Sequence, residues 1–208
     1  MRVTDWDEFT SPKEPGTLSP LALTIGVFDG VHLGHRALIS RILAEDSCVP
    51  TVVTFRQNPM KTVSPDRRAV DILSLTEKLA ILEALGVGLT VLIDFSGEFC
   101  KINGRDFIDL LLSRHPVKLI ALGEDFRCGH GLDTGVREIG DIARSRGVEV
   151  WVAPSVMDGG QAVSSSRIRR ALAAGHVAEA ERLLGRNLRI DNGRDEKRPR
   201  QSSQLEEI

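Results

Sequence analysis

Two histidines three residues apart, His32 and His35, lie in a run with three glycines: Gly26-Val27-Phe28-Asp29-Gly30-Val31-His32-Leu33-Gly34-His35. Transfer of a nucleotidyl group suits these residue types. Glycines let a backbone approach a triphosphate closely. A helix starting near Gly34 directs unpaired N–H groups and a positive dipole end at phosphate. Two imidazoles at this spacing donate to phosphate oxygens as negative charge builds in the transition state. Two other readings stand beside this one. The histidines can be ordinary turn residues, or both can ligate zinc, although no third Cys, His or acidic residue is marked out by spacing.

A second group lies far downstream: Val163-Ser164-Ser165-Ser166-Arg167-Ile168-Arg169. Serines at a helix N-terminus combine hydroxyls with free N–H groups into an anion site. Arg169, at i+3 from Ser166, can face the same side and neutralise outer phosphates and leaving pyrophosphate. The alternative is plain serine capping with a solvated arginine.

Both groups need elements to hold them. Leu21–Val27 is a short apolar, β-branched run and predicts a buried strand, followed by a helix over 34–45 with apolar residues at 38, 39, 42 and 43. Further strands are expected at 50–55, 89–93, 117–122 and 148–153. Ser74 and Glu77 form a capping signature for a helix that stops at Gly86, and Asn103 caps another that ends before Pro116. Helices are expected at 136–146, 165–174 and 176–185, with a glycine-rich loop at 123–134. Near-continuous apolar strands alternating with helices predict an α/β domain, a Rossmann-like doubly wound parallel sheet of about five strands. Ligands of such sheets sit at the carboxyl ends of the strands, near the switch in strand order. The glycine–histidine run falls directly after the first predicted strand and the serine run follows the last. Residues 1–20 read as an irregular lead-in, 21–190 as the domain and 191–208 as a charged, disordered tail.

The 208 residues suffice for one sizeable domain. A formal net charge of −2 argues against a general nucleic-acid partner. No run is long and apolar enough to cross a membrane, and no signal peptide is visible, so a cytoplasmic location is expected. Cys48, Cys100 and Cys128 form neither a disulfide framework nor a Cys-x-x-Cys site.

An H-x-G-H after the first strand, with S-S-S-x-x-R entering a late helix, resembles the HxGH nucleotidyltransferase superfamily. The fuller string GVFDGVHLGHRALI is similar to the N-terminal module of bacterial FAD synthetases, the riboflavin kinase/FMN adenylyltransferases. TF…P at 54–59, GEDFRCG at 123–129, SSSRIRRAL at 164–172 and AEAERLLGR at 178–186 match in the same order. The resemblance covers roughly residues 20–186. It implies transfer of AMP from ATP to FMN by direct in-line attack, giving FAD and pyrophosphate. It places His32 and His35 at the ATP phosphates, with Gly26, Val27, Phe28, Asp29, Gly30 and Gly34 along the nucleotide. Ser164, Ser165, Ser166 and Arg169 would hold the β- and γ-phosphates. Of these, His32, His35, Ser165 and Arg169 are the catalytic candidates. Gly123, Asp125, Phe126 and Arg127 would lie near adenine and flavin, and Phe55, Asn58 and Pro59 would border the flavin phosphate. Mg2+ is expected to bridge the phosphates.

The sequence departs from the family pattern in four places. The usual TF-x-P-H-P reads Thr54-Phe55-Arg56-Gln57-Asn58-Pro59, D-F-R-F-G reads Asp125-Phe126-Arg127-Cys128-Gly129, and S-S-T reads Ser164-Ser165-Ser166. About twenty charged and polar residues follow 186 in place of a kinase barrel. The expectation is therefore AMP transfer without riboflavin phosphorylation, with FMN supplied by a separate riboflavin kinase. An HxGH transferase with another acceptor and a non-catalytic flavin or nucleotide binder are the alternatives.

Overall fold

The computed structural model describes residues 1–11, 19–60, 70–95, 97 and 99–188. The chain opens with β1 (Arg2–Asp5) and α1 (Trp6–Thr10). β2 (Leu21–Ile25) leads to α2 (Leu33–Leu43), β3 (Val49–Phe55), α3 (Leu75–Ala84) and β4 (Leu89–Ile93). After a single 3-10 turn come α4 (Gly104–Arg114) and β5 (Val117–Gly123), then the short β6 (Arg127–Cys128) and β7 (Thr134–Gly135). α5 (Val136–Arg144), β8 (Glu149–Ala153), β9 (Met157–Asp158), β10 (Gln161–Ala162), α6 (Ser165–Ala173) and α7 (Val177–Leu184) follow.

The main sheet has six strands in the order β1-β4-β3-β2-β5-β8. Every neighbouring pair in it is parallel. This is the predicted doubly wound α/β architecture, with one strand more than the expected five. β1 supplies it, so the irregular lead-in expected over 1–20 is corrected for residues 2–10. The cause is packing: Trp6 and Phe9 are buried, and Trp6 stacks on Phe107 with ring centroids 5.1 Å apart. The charged tail expected at 191–208 lies outside the described residues.

Side-chain alternation along β2 builds the layers. Leu21, Leu23 and Ile25 join one apolar cluster with Phe107, Ile108 and Leu111 of α4 and Ile139 of α5. Ala22 joins the other with Leu38, Ile39 and Ile42 of α2 and Leu82 of α3. Helices on both faces leave no polar side at the middle of the sheet, which is why its central strands are largely apolar and the polar residues gather on the edge strands β1 and β8. Burying one such leucine or isoleucine contributes about 1.5–3 kcal/mol. A third cluster, Val163, Ile168, Ala171, Ala180, Leu183 and Leu184, joins α6 to α7 and takes in Leu33 and Ile72. It docks the late helices beside the start of α2.

β3 and β4 lie on one side of β2, and β5 lies on the other, so strand order reverses between β2 and β5. Thr24 is paired with Ala121. Two residues further on, that register sets Gly26 level with Gly123, at the strand ends where ligands of such sheets sit.

Candidate nucleotide site

The segment leaving β2 turns sharply, with Phe28 at φ 53°, Gly30 at φ 89° and Val31 at φ 42°. Left-handed backbone costs a non-glycine residue about 1–2 kcal/mol. Phe28 and Val31 are both completely buried, and that packing holds them there. The carbonyls of the turn are taken from behind. Val27 O accepts from Thr54 Oγ1 at 3.0 Å and Lys78 Nζ at 3.2 Å. Asp29 O accepts from Ser165 Oγ, and Gly30 O from Arg186 Nη1, both at 2.7 Å. The N–H groups of Phe28, Asp29 and Gly30 bond no acceptor among the described residues. Alternating backbone hand with outward carbonyls and free N–H groups is the arrangement that binds anions.

His32 is the N-cap of α2, and its Nδ1 accepts the His35 N–H at 3.4 Å. That acceptor role places the His32 proton on Nε2. Burial, reinforced by the Arg186 cation, lowers its pKa to about 4. The His35 ring stacks on His32 with centroids 3.7 Å apart and tilts against Phe28 at 4.8 Å. Burial first, then His32 and Lys78, hold the His35 pKa well below its ordinary value. Both imidazoles are therefore neutral at pH 7.

The second motif arrives on α6. Ser164 caps the helix, its Oγ accepting the Arg167 N–H at 3.3 Å, and Ser166 is exposed. Ser165 donates to Asp29 O, and Arg169 Nη2 forms an ion pair with the Asp29 carboxylate. Arg169 Nε also donates to Val70 O at 2.9 Å. Asp29 Oδ1 accepts the Ile72 and Leu73 N–H groups at 2.9 and 3.3 Å. The two motifs thus meet on one buried aspartate. Arg167 points elsewhere. It pairs with Asp158 at 2.6 Å and Glu179 at 2.9 Å and locks β9–β10 to α6 and α7.

Lys78 was not foreseen from the sequence. It is buried on α3 and spends its ammonium on Val27 O, Thr54 Oγ1 and Phe55 O, the last at 2.8 Å. Burial lowers its pKa to about 8 against the pull of Asp29 and Asp71. The available signal was spacing, since Lys78 shares a face with Leu82, the other buried side chain of α3. Arg186, one residue past the αL glycine that ends α7, was not foreseen either.

A small cleft of about 30 Å³ opens beside this group, lined by Val27, Asp29, Arg56, Asn58, Asp71, Leu73, Leu75 and Lys78. Of the expected flavin residues, Asn58 lines it, buried, with Oδ1 accepting Met60 N–H at 3.1 Å. Phe55 ends β3 with its ring edge-on to Phe95 at 5.7 Å, and Pro59 is half-buried. Asp125 is exposed, Phe126 packs on the core, and Arg127 Nε donates to Leu132 O at 2.7 Å. Among the described residues, no hydrogen bond ties Gly123, Asp125, Phe126 or Arg127 to residues 26–35. Likewise among them, no three His, Cys, Asp or Glu residues cluster so as to hold a metal. Asp29, the carboxylate at the centre, is already committed to Arg169 and two N–H groups. The donors present do not fit a resident cation, and a divalent ion would arrive as part of a nucleotide substrate.

A doubly wound parallel sheet with a sharp turn and a second helix meeting at its switch point is an α/β domain of the kind that places its ligands at the carboxyl ends of its strands. A family model described as FAD synthetase matches residues 15–167, and the chain belongs to that family. The bifunctional riboflavin kinase/FMN adenylyltransferase of Escherichia coli K12 is 34% identical over 167 residues, 78% of this chain and 53% of the relative. A Listeria monocytogenes FAD synthetase is 28% identical, covering 78% of this chain and 68% of its own length. The chain thus spans about half the length of the bifunctional relative. A solved structure described as a macrolide-efflux protein from Streptococcus pneumoniae superposes with TM-score 0.75 at 28% identity, covering 89% of this chain and 62% of that one. A pantoate-beta-alanine ligase from Francisella tularensis shares the fold alone, at TM-score 0.52 and 18% identity over 77% of this chain and 70% of its own.

Proposed function

We propose that this chain transfers AMP from ATP to FMN. A phosphate oxygen of FMN attacks the α-phosphorus, the α–β bridging bond breaks, and FAD and pyrophosphate form. Attack is direct and in line, so no protein nucleophile is needed. The protein contributes position and charge stabilisation. The observation that carries this reading is the junction on Asp29, where Ser165 and Arg169 of one motif bond the turn that presents the other. Membership of the FAD synthetase family supports flavin as the acceptor.

In this reading the 28–30 N–H groups and the His32 Nε2–H donate to the triphosphate. Neutral imidazoles suit this role, because they stabilise developing charge without first shedding a proton. The Ser166 hydroxyl and the first N–H groups of α6 would receive the outer phosphates. Asn58, Phe55 and Pro59 would border FMN, with Gly123, Asp125, Phe126 and Arg127 on the adenine and flavin side. Magnesium would enter on the triphosphate. A riboflavin kinase activity supplies FMN, and the ATP pool places the reaction in the cytoplasm. Among the described residues, no helix is long and apolar enough to cross a membrane.

The test is incubation with ATP, FMN and Mg2+, following FAD by its chromatographic mobility and pyrophosphate by a coupled assay. Folded protein that binds ATP and makes no FAD would remove the proposal. An acceptor panel with labelled ATP would then identify another acceptor, and tight flavin binding without turnover would identify a binder.

A further inference from the structure

Arg186 lies beyond the last turn of α7 and reaches back 156 residues along the chain. Its Nη1 donates to Gly30 O at 2.7 Å and lies 3.5 Å from Val31 O. Gly30 and Val31 both hold left-handed backbone. Leu184, from the same end of α7, also closes on this glycine: a Cβ there would stand 3.3 Å from Leu184 Cδ2. The end of α7 is therefore shaped to the back of the turn. The Gly30–Val31 peptide closes the turn, its Val31 N–H donating to Phe28 O at 3.3 Å, and the Gly30 carbonyl on its other side needs a donor from elsewhere. Arg186 is that donor, so it holds the peptide that closes the turn before the histidine motif.

We propose that Arg186 is a positioning residue for the nucleotide turn: seated on the Gly30 carbonyl, it fixes the left-handed geometry that aims the 28–30 N–H groups and His32 at the triphosphate. The proposal rests on the reading of residues 26–35 as the ATP cradle. It adds a role for the AEAERLLGR segment, which the reaction itself leaves unused. The same guanidinium supplies positive charge beside His32 and disfavours protonation of that ring. Protonation would turn Nδ1 from acceptor to donor and abolish the cap on the His35 N–H. Arg186 therefore guards both the backbone of the turn and the tautomer of its first histidine. The other charged and titratable groups around the pair are His35 and Arg36 of α2, Glu77 and Lys78 of α3, and the Asp29–Arg169 pair. Of these, Arg36 bonds the Gly185 carbonyl at 3.4 Å and no carbonyl of the turn.

Three variants separate the contributions: Arg186→Met, Arg186→Lys and, as control, Arg36→Met. ATP affinity is read by calorimetry, KM and kcat by FAD formation, and the His32 titration by NMR, assigned against a His35→Asn variant. Arg186→Met is expected to weaken ATP binding by roughly ten- to a hundredfold, the scale for losing a charge-assisted hydrogen bond. The KM for FMN should stay within about twofold, and the His32 titration midpoint should climb toward its ordinary value near 6.5. Arg186→Lys keeps the charge but loses the fork, so His32 should stay low while ATP binding is only partly restored. Arg36→Met should leave ATP affinity unchanged. Unaltered ATP affinity and an unmoved His32 midpoint in folded Arg186→Met would overturn the proposal. Should the methionine variant fail to fold, folded Arg186→Lys with wild-type ATP affinity would overturn it equally. The His32 titration reads the arrangement even if no FAD is made, so failure of the AMP-transfer reading is scored separately.

Discussion

Ser165 Oγ donates to the Asp29 carbonyl at 2.7 Å, joining residues 136 positions apart. One residue contributes a main-chain oxygen and the other a hydroxyl at a helix N-terminus, and the bond fixes the histidine and serine motifs in a common frame. Arg169 reinforces it from the next turn of α6 by pairing with the Asp29 carboxylate, which is 7% exposed.

Arg169→Ala should therefore do two things. It should lower AMP transfer by on the order of 10²-fold, the scale for lost charge stabilisation. It should also cost about 3 kcal/mol of stability, because the buried Asp29 carboxylate loses its partner. Asp29→Asn added to Arg169→Ala should recover part of the stability and none of the activity. Urea unfolding of the two single variants and the double variant checks the coupling. Strict additivity would mean the pair does not matter.

The histidines give a pH prediction. His32 binds its proton near pH 4 when folded and near 6.5 when unfolded. Between those values the unfolded chain carries the extra proton, so stability is intact above pH 6.5 and is lost as pH falls toward 4. The loss from His32 alone is on the order of 3 kcal/mol, at about 1.4 kcal/mol per pH unit. His35 adds in the same direction. Unfolding midpoints at pH 7.5, 6 and 5 should fall steeply for the wild type and less for His32→Gln. Each of His32→Ala and His35→Ala should reduce turnover by about 10²-fold or more at pH 7.5.

Lys78→Met should separate activity from stability. The substitution removes a donor from Val27 O, just past β2, and from Phe55 O, at the end of β3, loosening the turn and lowering AMP transfer by about tenfold or more. It also removes a buried charge, which offsets the lost bonds and keeps the change in stability within about 1 kcal/mol. The wild-type lysine, at about 8 when folded against 10.5 unfolded, makes stability rise with pH between those values. That rise should vanish in the variant, as chemical denaturation at pH 7.5 and 9.5 would reveal.

Gly129 sits at φ 87°, ψ 173°, a region essentially confined to glycine. A Cβ there would overlap the Gly104 N and Asp133 Oδ1 that cap α4. Gly129→Ala should cost about 2 kcal/mol or more, whereas Gly131→Ala, with open space around its Cβ position, should cost only the strain of its own left-handed backbone. Paired thermal melts of the two variants test the difference.

The doubly wound fold was legible because its strands are apolar runs set between amphipathic helices. The caps at Ser74 and Asn103 fell where short polar residues precede such runs. β1 was not legible: Arg-Val-Thr-Asp is four residues long and mostly exposed, and its strand character comes from pairing with β4. The predicted start of α2 near Gly34 missed that His32 is the cap, since imidazole is not among the usual capping side chains. The serine cluster was found, but its free hydroxyls were overcounted, because Ser164 caps its own helix and Ser165 is bonded to Asp29. Lys78 and Arg186 escaped because a lone lysine in a helix and an arginine just past one read as solvated, and only the tertiary fold turns them inward.

The carbonyls of Val27, Asp29 and Gly30 are gripped by Thr54, Lys78, Ser165 and Arg186, side chains that span most of the described chain. A nascent polypeptide still short of residue 186 at the ribosome can close much of the parallel sheet without possessing a finished turn over residues 26–35. Nucleotide capture then becomes a late reporter of maturation: during synthesis or refolding, ATP should shield residues 26–35 from hydrogen exchange only after the carboxyl-terminal helix pair has docked.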